Sequence, residues 1–279
     1  MGTLNLLEAV RRQRKQCILI MITTDKVYEN VGWVHSYREP DSLGGHDPYS
    51  ASKACAEHVI SSYWRSFFAP AIDRLEDFAV AVAPVRGGNV IGGGDWAENR
   101  IVPDAMRALA AGKELVIRNR HATRPWQHVL ELLSGYLHLG CLIYRRRKNL
   151  SAARLQERDE TLRKLKDVCS AFNFGPFLTS NKTVGALVKE IFKHWPGTSL
   201  DQETTGKTLE AGMLNLTIDK AYHLLGWQPK WSFEETIHYT VAWYRQFYES
   251  AQGNPKSVRE LTQSQIREYS KGLTYGVND

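Results

Sequence analysis

The run Cys17-Ile18-Leu19-Ile20-Met21-Ile22 has no polar face and is short for a helix, so it reads as a strand buried on both sides. A strand covered on both faces belongs in a parallel sheet between helical layers. A helical stretch from Leu4 to about Gln13 precedes it, another from Tyr49 to about Phe67 follows, and a second apolar strand is expected from Phe78 to Val85. This alternation predicts an α/β fold with crossover helices, in which ligands bind beyond the carboxyl ends of the strands. Thr23-Thr24-Asp25-Lys26 stands at that end of the first strand.

The following helix carries the strongest chemical signal. Asp47 can cap it and Pro48 can fill its first position, leaving Tyr49, Lys53 and Glu57 at four-residue spacing along one face. A phenol beside an ammonium is a candidate base, because positive charge favours the phenolate, and the same ammonium can hold a ribose hydroxyl. A second Tyr-x-x-x-Lys, Tyr144 and Lys148, encloses three arginines and follows no hydroxyl-bearing strand end. It reads as a solvated basic face.

After Val85 the grammar changes to loops, short strands and helices: a helix near Pro103 to Ala111, a strand Glu114 to Ile117, and a helix from about Gln127 to Tyr144. Later come a helix Val184 to His194, a strand Met213 to Ile218, and helices Lys220 to Leu225 and Phe233 to Tyr248. The division expected is 1–88 for the first region, 89–253 for a second region, and 254–279 for a polar tail. Residues at about 145–168, almost wholly polar, read as an inserted solvent helix or flexible excursion.

The net charge of +6 raises the question of nucleic acid, but the basic clusters Arg11 to Lys15 and Arg145 to Lys148 lack interleaved aromatic platforms, so nucleic acid is not expected as a partner. No apolar stretch reaches membrane-spanning length and no signal-peptide pattern opens the chain, so no membrane partner is expected and a cytoplasmic setting is. The four cysteines show no paired metal spacing and read as reduced thiols; no metal is expected.

The stretches GTLNLLEA, TTDKVYEN, YREPDSLGGHDPYSASKACAE, VRGGNVIGGGDW, RIVPD, HATRPWQHVLELLSGYLHLG, NFGP and LGWQPKW resemble the extended short-chain dehydrogenase/reductases that act on nucleotide sugars. The resemblance runs to about Tyr248. Related dehydratases for other nucleotides usually have Asp-Glu where this chain has Asp25-Lys26, which favours the CDP-glucose 4,6-dehydratase branch. The resemblance implies NAD as cofactor, CDP-glucose or a related nucleotide sugar as substrate, CDP-4-keto-6-deoxyglucose as product, and a homo-oligomer.

It also implies roles. Tyr49 would take the proton of the sugar 4-hydroxyl, Thr24 would hold the 4-keto oxygen, and Lys53 would serve Tyr49 and the nicotinamide ribose. Lys26 would take the C5 proton and Asp25 would protonate the departing 6-hydroxyl. Asn89 and Arg124 would bind the diphosphate, Ile101-Val102-Pro103 would flank the nucleotide, and Arg118 and Glu131 are candidates for base or ribose contacts.

The strand, Gly-rich turn and acidic residue that open a dinucleotide fold do not precede Gly2. The fold expected is therefore a truncated Rossmann-type parallel sheet with a smaller C-terminal mixed α/β substrate-binding region, and these 279 residues alone are not expected to hold NAD or turn over. The alternatives are another nucleotide-sugar epimerase or reductase, or a noncatalytic nucleotide-sugar-binding protein.

Overall fold

The computed structural model describes residues 1–202, 214–250 and 255–273. Helix α1 (Gly2–Gln13) leads to strand β1 (Cys17–Ile22), and α2 (Pro48–Tyr63) continues through a π-turn at Trp64–Phe68 into α3 (Ala69–Asp73). Asp47 accepts from the Ser50 amide and Pro48 takes the first turn, so α2 begins where its capping residues dictate. Strand β2 (Val80–Arg86) lies parallel to β1, with Cys17 opposite Val80 and Ile22 opposite Val85.

Alternation along β2 assigns its two faces. Val80 and Val82 pack with Leu7, Ile60 and Phe68 beneath α1 and α2. Ala81, Ala83 and Val85 face the other way, towards Leu139, Leu142 and Ile143 of a long helix, α5, described below. Helices on both faces of β2 make the layered α/β arrangement expected from the apolar runs. Strand β1, at the end of the strand order, is only partly buried and its Ile22 is exposed, against the expectation of a strand covered on both sides.

The chain then builds β3 (Val90–Ile91), α4 (Ile101–Ala110), β4 (Leu115–Ile117), β5 (Thr123–Pro125) and β6 (Gln127–His128) before α5 (Val129–Ala152). It continues with α6 (Arg158–Val168), β7 (Phe172–Asn173), β8 (Asn181–Thr183), α7 (Val184–His194), β9 (Ser199–Asp201), α8 (Asp219–Leu225), α9 (Phe233–Glu249) and α10 (Pro255–Ser270). The first sheet has the order β1-β2-β7, while β3-β6, β4-β9 and β5-β8 form two-stranded pairs. A second core joins Val102 and Met106 of α4, Leu115 and Ile117 of β4, Leu187 and Ile191 of α7, and Ile237 and Val241 of α9. Helices α5, α6 and α8 and strand β7 return to the first core, so residues far beyond 88 complete it.

Three further expectations need correction. The charged segment 145–168 is largely helical with most of its residues exposed, as a solvent helix would be, but it is not an excursion: α5 runs into it as far as Ala152, α6 folds back, and Leu150, Leu165 and Val168 are buried in the first core. Its few apolar residues fall on one helical stripe, a signal that its overall charge hid. Residues 255–270 of the expected polar tail form α10, where Trp243 donates to the Thr262 hydroxyl at 2.9 Å and Gln265 donates to the Tyr239 carbonyl at 2.9 Å. The expected strand Met213 to Ile218 is reduced to one bridge, Leu216 with Tyr37, because its partner is a loop rather than a sheet; Met213 lies outside the described residues.

Truncating Leu165, 1 % exposed in the first core, removes packing that the structure assigns to α6. Leu165→Ala is expected to lower unfolding free energy by about 2–5 kcal/mol in a urea titration. A loss under about 0.5 kcal/mol would return the segment to solvent.

Candidate active site

The end of β1 is carried beyond the sheet by continued pairing with the exit of β2: Thr23 N–H donates to the Val85 carbonyl at 2.9 Å, and Asp25 N–H to the Gly87 carbonyl at 3.1 Å. A tight turn, Asp25–Val27, follows and packs against α2. The Asp25 carboxyl lies hard against the Gly88 backbone, where a Cβ would come 1.9 Å from its Oδ2. Only glycine leaves room for it.

Asp25 is 4 % exposed, and burial pushes its carboxyl up to about 6, against the opposing pull of the Thr24 hydroxyl and the Lys26 ammonium. Thr24 is itself buried; its Oγ1 sits 3.0 Å from Asp25 Oδ1 and accepts from the Lys26 amide. The expectation of a Thr24 hydroxyl free for substrate is thereby modified, since in this arrangement its hydrogen goes to the Asp25 carboxylate. Lys26 is exposed.

On α2, Tyr49 is half exposed and Lys53 Nζ stands 5.9 Å from the centre of its ring. One turn further, Glu57 is buried and ion-paired with Arg86 at the end of β2, both side chains 3 % exposed. Glu57 Oε1 also accepts from the Thr23 hydroxyl at 2.7 Å. Arg86 Nη1 donates to the Tyr28 hydroxyl at 2.7 Å and to the Glu39 carbonyl at 3.0 Å, and Tyr28 donates to Asn173 of β7 at 2.7 Å. Sequence reasoning put Glu57 on the right helical face without a role and passed over Arg86, Tyr28 and Asn173. The hidden signal was a charged residue ending the apolar run of β2, which demands a buried partner.

Asn89 follows Gly88 directly and takes a left-handed φ of 50°, with its carbonyl accepting from Gln127 N–H at 3.3 Å. Gln127 Nε2 donates to the Gly88 carbonyl at 3.0 Å, tying the exit of β2 to β6. Arg124, partly buried in β5, lies opposite Lys182 of β8 and donates to the Thr123 carbonyl. Arg118 is exposed and holds the Asn99 carbonyl at 3.0 Å.

Other candidates sit differently from expectation. Val102 and Pro103 are buried within α4, Val102 in the second core, which leaves only Ile101 of that trio partly exposed. Glu131 is 1 % exposed and internally committed: it accepts from Lys230 N–H at 3.0 Å, Trp231 N–H at 2.7 Å and the Tyr269 hydroxyl at 2.5 Å. Burial raises its carboxyl above the ordinary range, and its place is as a clasp between α5 and the C-terminal helices.

Among the described residues, no group of three His, Cys, Asp or Glu is arranged for a metal, and no helix is long and apolar enough to cross a membrane. Tyr49 and Lys53 offer the phenol and ammonium that suit the nicotinamide-ribose end of a dinucleotide. Gly93 does not offer a pyrophosphate cradle, because a Cβ there would meet the Trp243 ring at 2.1 Å. That glycine serves packing against α9.

The family described as GDP-mannose 4,6 dehydratase matches residues 1–240. The chain belongs to this family. It is 40 % identical over 248 residues to CDP-glucose 4,6-dehydratase of Salmonella typhimurium, a match covering 88 % of this chain and 63 % of that protein. The chain thus spans under two thirds of that relative's length. Its fold is similar to that of dTDP-glucose 4,6-dehydratase from Bacillus anthracis in complex with NAD, with a TM-score of 0.64, 23 % identity, and coverage of 89 % of this chain and 68 % of that one. UDP-glucuronic acid 4-epimerase from Bacillus cereus, in complex with UDP-glucuronic acid and NAD, has a similar fold at a TM-score of 0.63 and 16 % identity, over 88 % of this chain and 66 % of that one. Shared folds thus span proteins named as a dehydratase and as an epimerase, so the fold alone does not separate the two.

For this member of the dehydratase family, Asp25 gives a pH signature. Its carboxyl titrates near 3.8 in an unfolded chain and near 6 in the folded one, so the folded protein binds the proton more tightly. Its stabilising contribution is complete below about pH 4 and is lost as pH rises through about 6, a change of about 3 kcal/mol. Asp25→Asn is expected to remove that fall from the pH profile of urea unfolding; an unchanged profile would place the raised carboxyl elsewhere, for instance at Glu131.

Proposed function

We propose that this chain carries the catalytic and substrate-binding machinery of a CDP-glucose 4,6-dehydratase, forming CDP-4-keto-6-deoxyglucose. The observation that carries the reading is the pairing of a buried Asp25, its carboxyl raised to about 6, and an exposed Lys26 with the Tyr49–Lys53 face of the helix they pack against. An epimerase needs a base at the sugar 4-hydroxyl. A dehydratase needs, in addition, an acid and a base for eliminating water across C5 and C6.

Each residue then has a definable task. Tyr49 removes the proton from the 4-hydroxyl, with the Lys53 ammonium beside its ring. Tyr49 and Lys53 would hold NAD at its nicotinamide-ribose end, and that cofactor would supply reversible hydride chemistry, at C4 on the outward step and at C6 on the return. The resulting 4-ketone acidifies C5, whose proton goes to Lys26 as base and is given back to C5 when the hydride reaches C6. Asp25 passes its proton to the departing 6-hydroxyl, so that the elements of water leave and Asp25 is left as carboxylate. Thr24, 3.0 Å from Asp25, accepts a hydrogen bond while Asp25 is protonated, which frees its own hydrogen for the 4-keto oxygen.

Asn89 and Arg124 are proposed to bind the diphosphate, Arg124 through a planar guanidinium suited to bidentate recognition. Arg118 is proposed for the base or ribose; Ile101 and the backbone of Val102-Pro103 are proposed to flank the nucleotide. A homo-oligomer is proposed with them. A cytoplasmic setting is proposed with the same reading.

Calorimetry on the 279-residue chain tests the substrate without requiring turnover. CDP-glucose is expected to bind more tightly than UDP-glucose, and Arg124→Ala is expected to weaken CDP-glucose by about 1.5–3 kcal/mol while weakening cytidine much less. Tyr49→Phe is expected to leave binding within severalfold. Equal losses for nucleotide and nucleoside, or no preference for cytidine, would overturn the assignment.

A further inference from the structure

The catalytic groups sit on two elements that share no backbone hydrogen bonds: the end of β1 with its turn, and helix α2. Something must set the gap between them. Between the two lies Glu57, on the same helical face as Tyr49 and Lys53 and one turn beyond the latter. Its carboxylate accepts from Thr23 Oγ1 at 2.7 Å and from Arg86 Nε at 2.8 Å, with Arg86 Nη2 on its second oxygen. The Thr23 hydroxyl also approaches the Val85 carbonyl at 3.1 Å. Arg86 spends its remaining hydrogen bonds on Tyr28 and Glu39, both in the loop that follows Lys26.

We propose that Glu57 and Arg86 are positioning residues of this site: through Thr23 they fix the end of β1 against α2, and through Tyr28 they hold the loop beyond Lys26, so that both sets of catalytic groups meet one sugar ring. Their significance rests on the dehydratase reading, but their action on the site does not. A buried ion pair is a poor source of net stability, because desolvation offsets most of its attraction, whereas its directional hydrogen bonds specify one arrangement of the elements it joins. Here those elements are β1, β2, α2 and the loop after Lys26. Thr23 is the link that can be cut without leaving either charge unpaired.

The test follows the titration of Asp25 by carboxyl 13C NMR in the full chain without nucleotide sugar. The charged group acting on Asp25 is Lys26, its hydrogen-bond neighbour is Thr24, and both remain in every variant. Thr23→Val keeps the shape and the ion pair but removes the hydroxyl. It is expected to melt within a few degrees of the parent while the Asp25 midpoint falls by about one pH unit as the strand end loosens and water enters. Thr23→Ser, which keeps the hydroxyl, is expected to restore the parent midpoint, and Glu131, buried elsewhere, is expected to titrate as before. If valine does not fit, Thr23→Ala makes the same cut with less bulk.

An unchanged Asp25 midpoint in a folded Thr23→Val or Thr23→Ala chain would overturn the proposal, as would a parallel change at Glu131, which would mark general loosening. Failure of CDP-glucose to bind while Asp25 responds as stated would instead remove the substrate reading and leave the positioning role standing.

Discussion

The buried ion pair of Glu57 with Arg86 is the interaction on which the rest of the site depends. Both side chains are 3 % exposed, so each charge has given up its water and relies on the other. Arg86 ends β2, Glu57 belongs to α2, Thr23 ends β1, and Tyr28 extends the contact to Asn173 of β7. One guanidinium and one carboxylate thereby join every strand of the first sheet at its carboxyl end. That is the end at which an open α/β sheet presents ligands.

Helix α2 works as a rigid rule laid across this junction. Its capped start brings Tyr49 to the surface, Lys53 follows one turn on, and Glu57 is anchored below. The strand end complements it with a carboxyl whose burial against Gly88 favours the proton and an amine that stays in water. A carboxyl raised by burial and a lysine near an exposed phenol are the groups that the proposed elimination next to a ketone would use. The chemistry is set by burial at least as much as by residue type: Asp25 and Glu57 are both carboxylic acids, yet one faces a glycine backbone and the other a guanidinium.

Much of this was legible in the sequence because it rests on local signals. The unbroken apolar run of β1, the Asp-Pro start of α2 and the four-residue spacing of Tyr49 and Lys53 each point to one structure. Long-range pairing was not legible. Arg86 closes an apolar run and so calls for a buried partner, but nothing local names Glu57 as that partner, or shows that Glu131 is held by Tyr269 from a helix 138 residues away. The charged segment of α5 and α6 misled for a related reason, since a helix needs only a narrow apolar stripe to be buried and a high average polarity conceals it. Val102 and Pro103 show the limit of motif reasoning: a stretch that resembles a nucleotide-flanking segment buries these two side chains within the fold.

The most direct measurement is an amide and side-chain NMR titration of the chain with CDP-glucose. The account predicts that resonances of Thr24, Asp25, Lys26, Tyr49 and Lys53 move together with those of Asn89, Ile101 and Arg124, at a single saturating concentration. Perturbations confined to the second region, with the strand end and α2 unchanged, would contradict it.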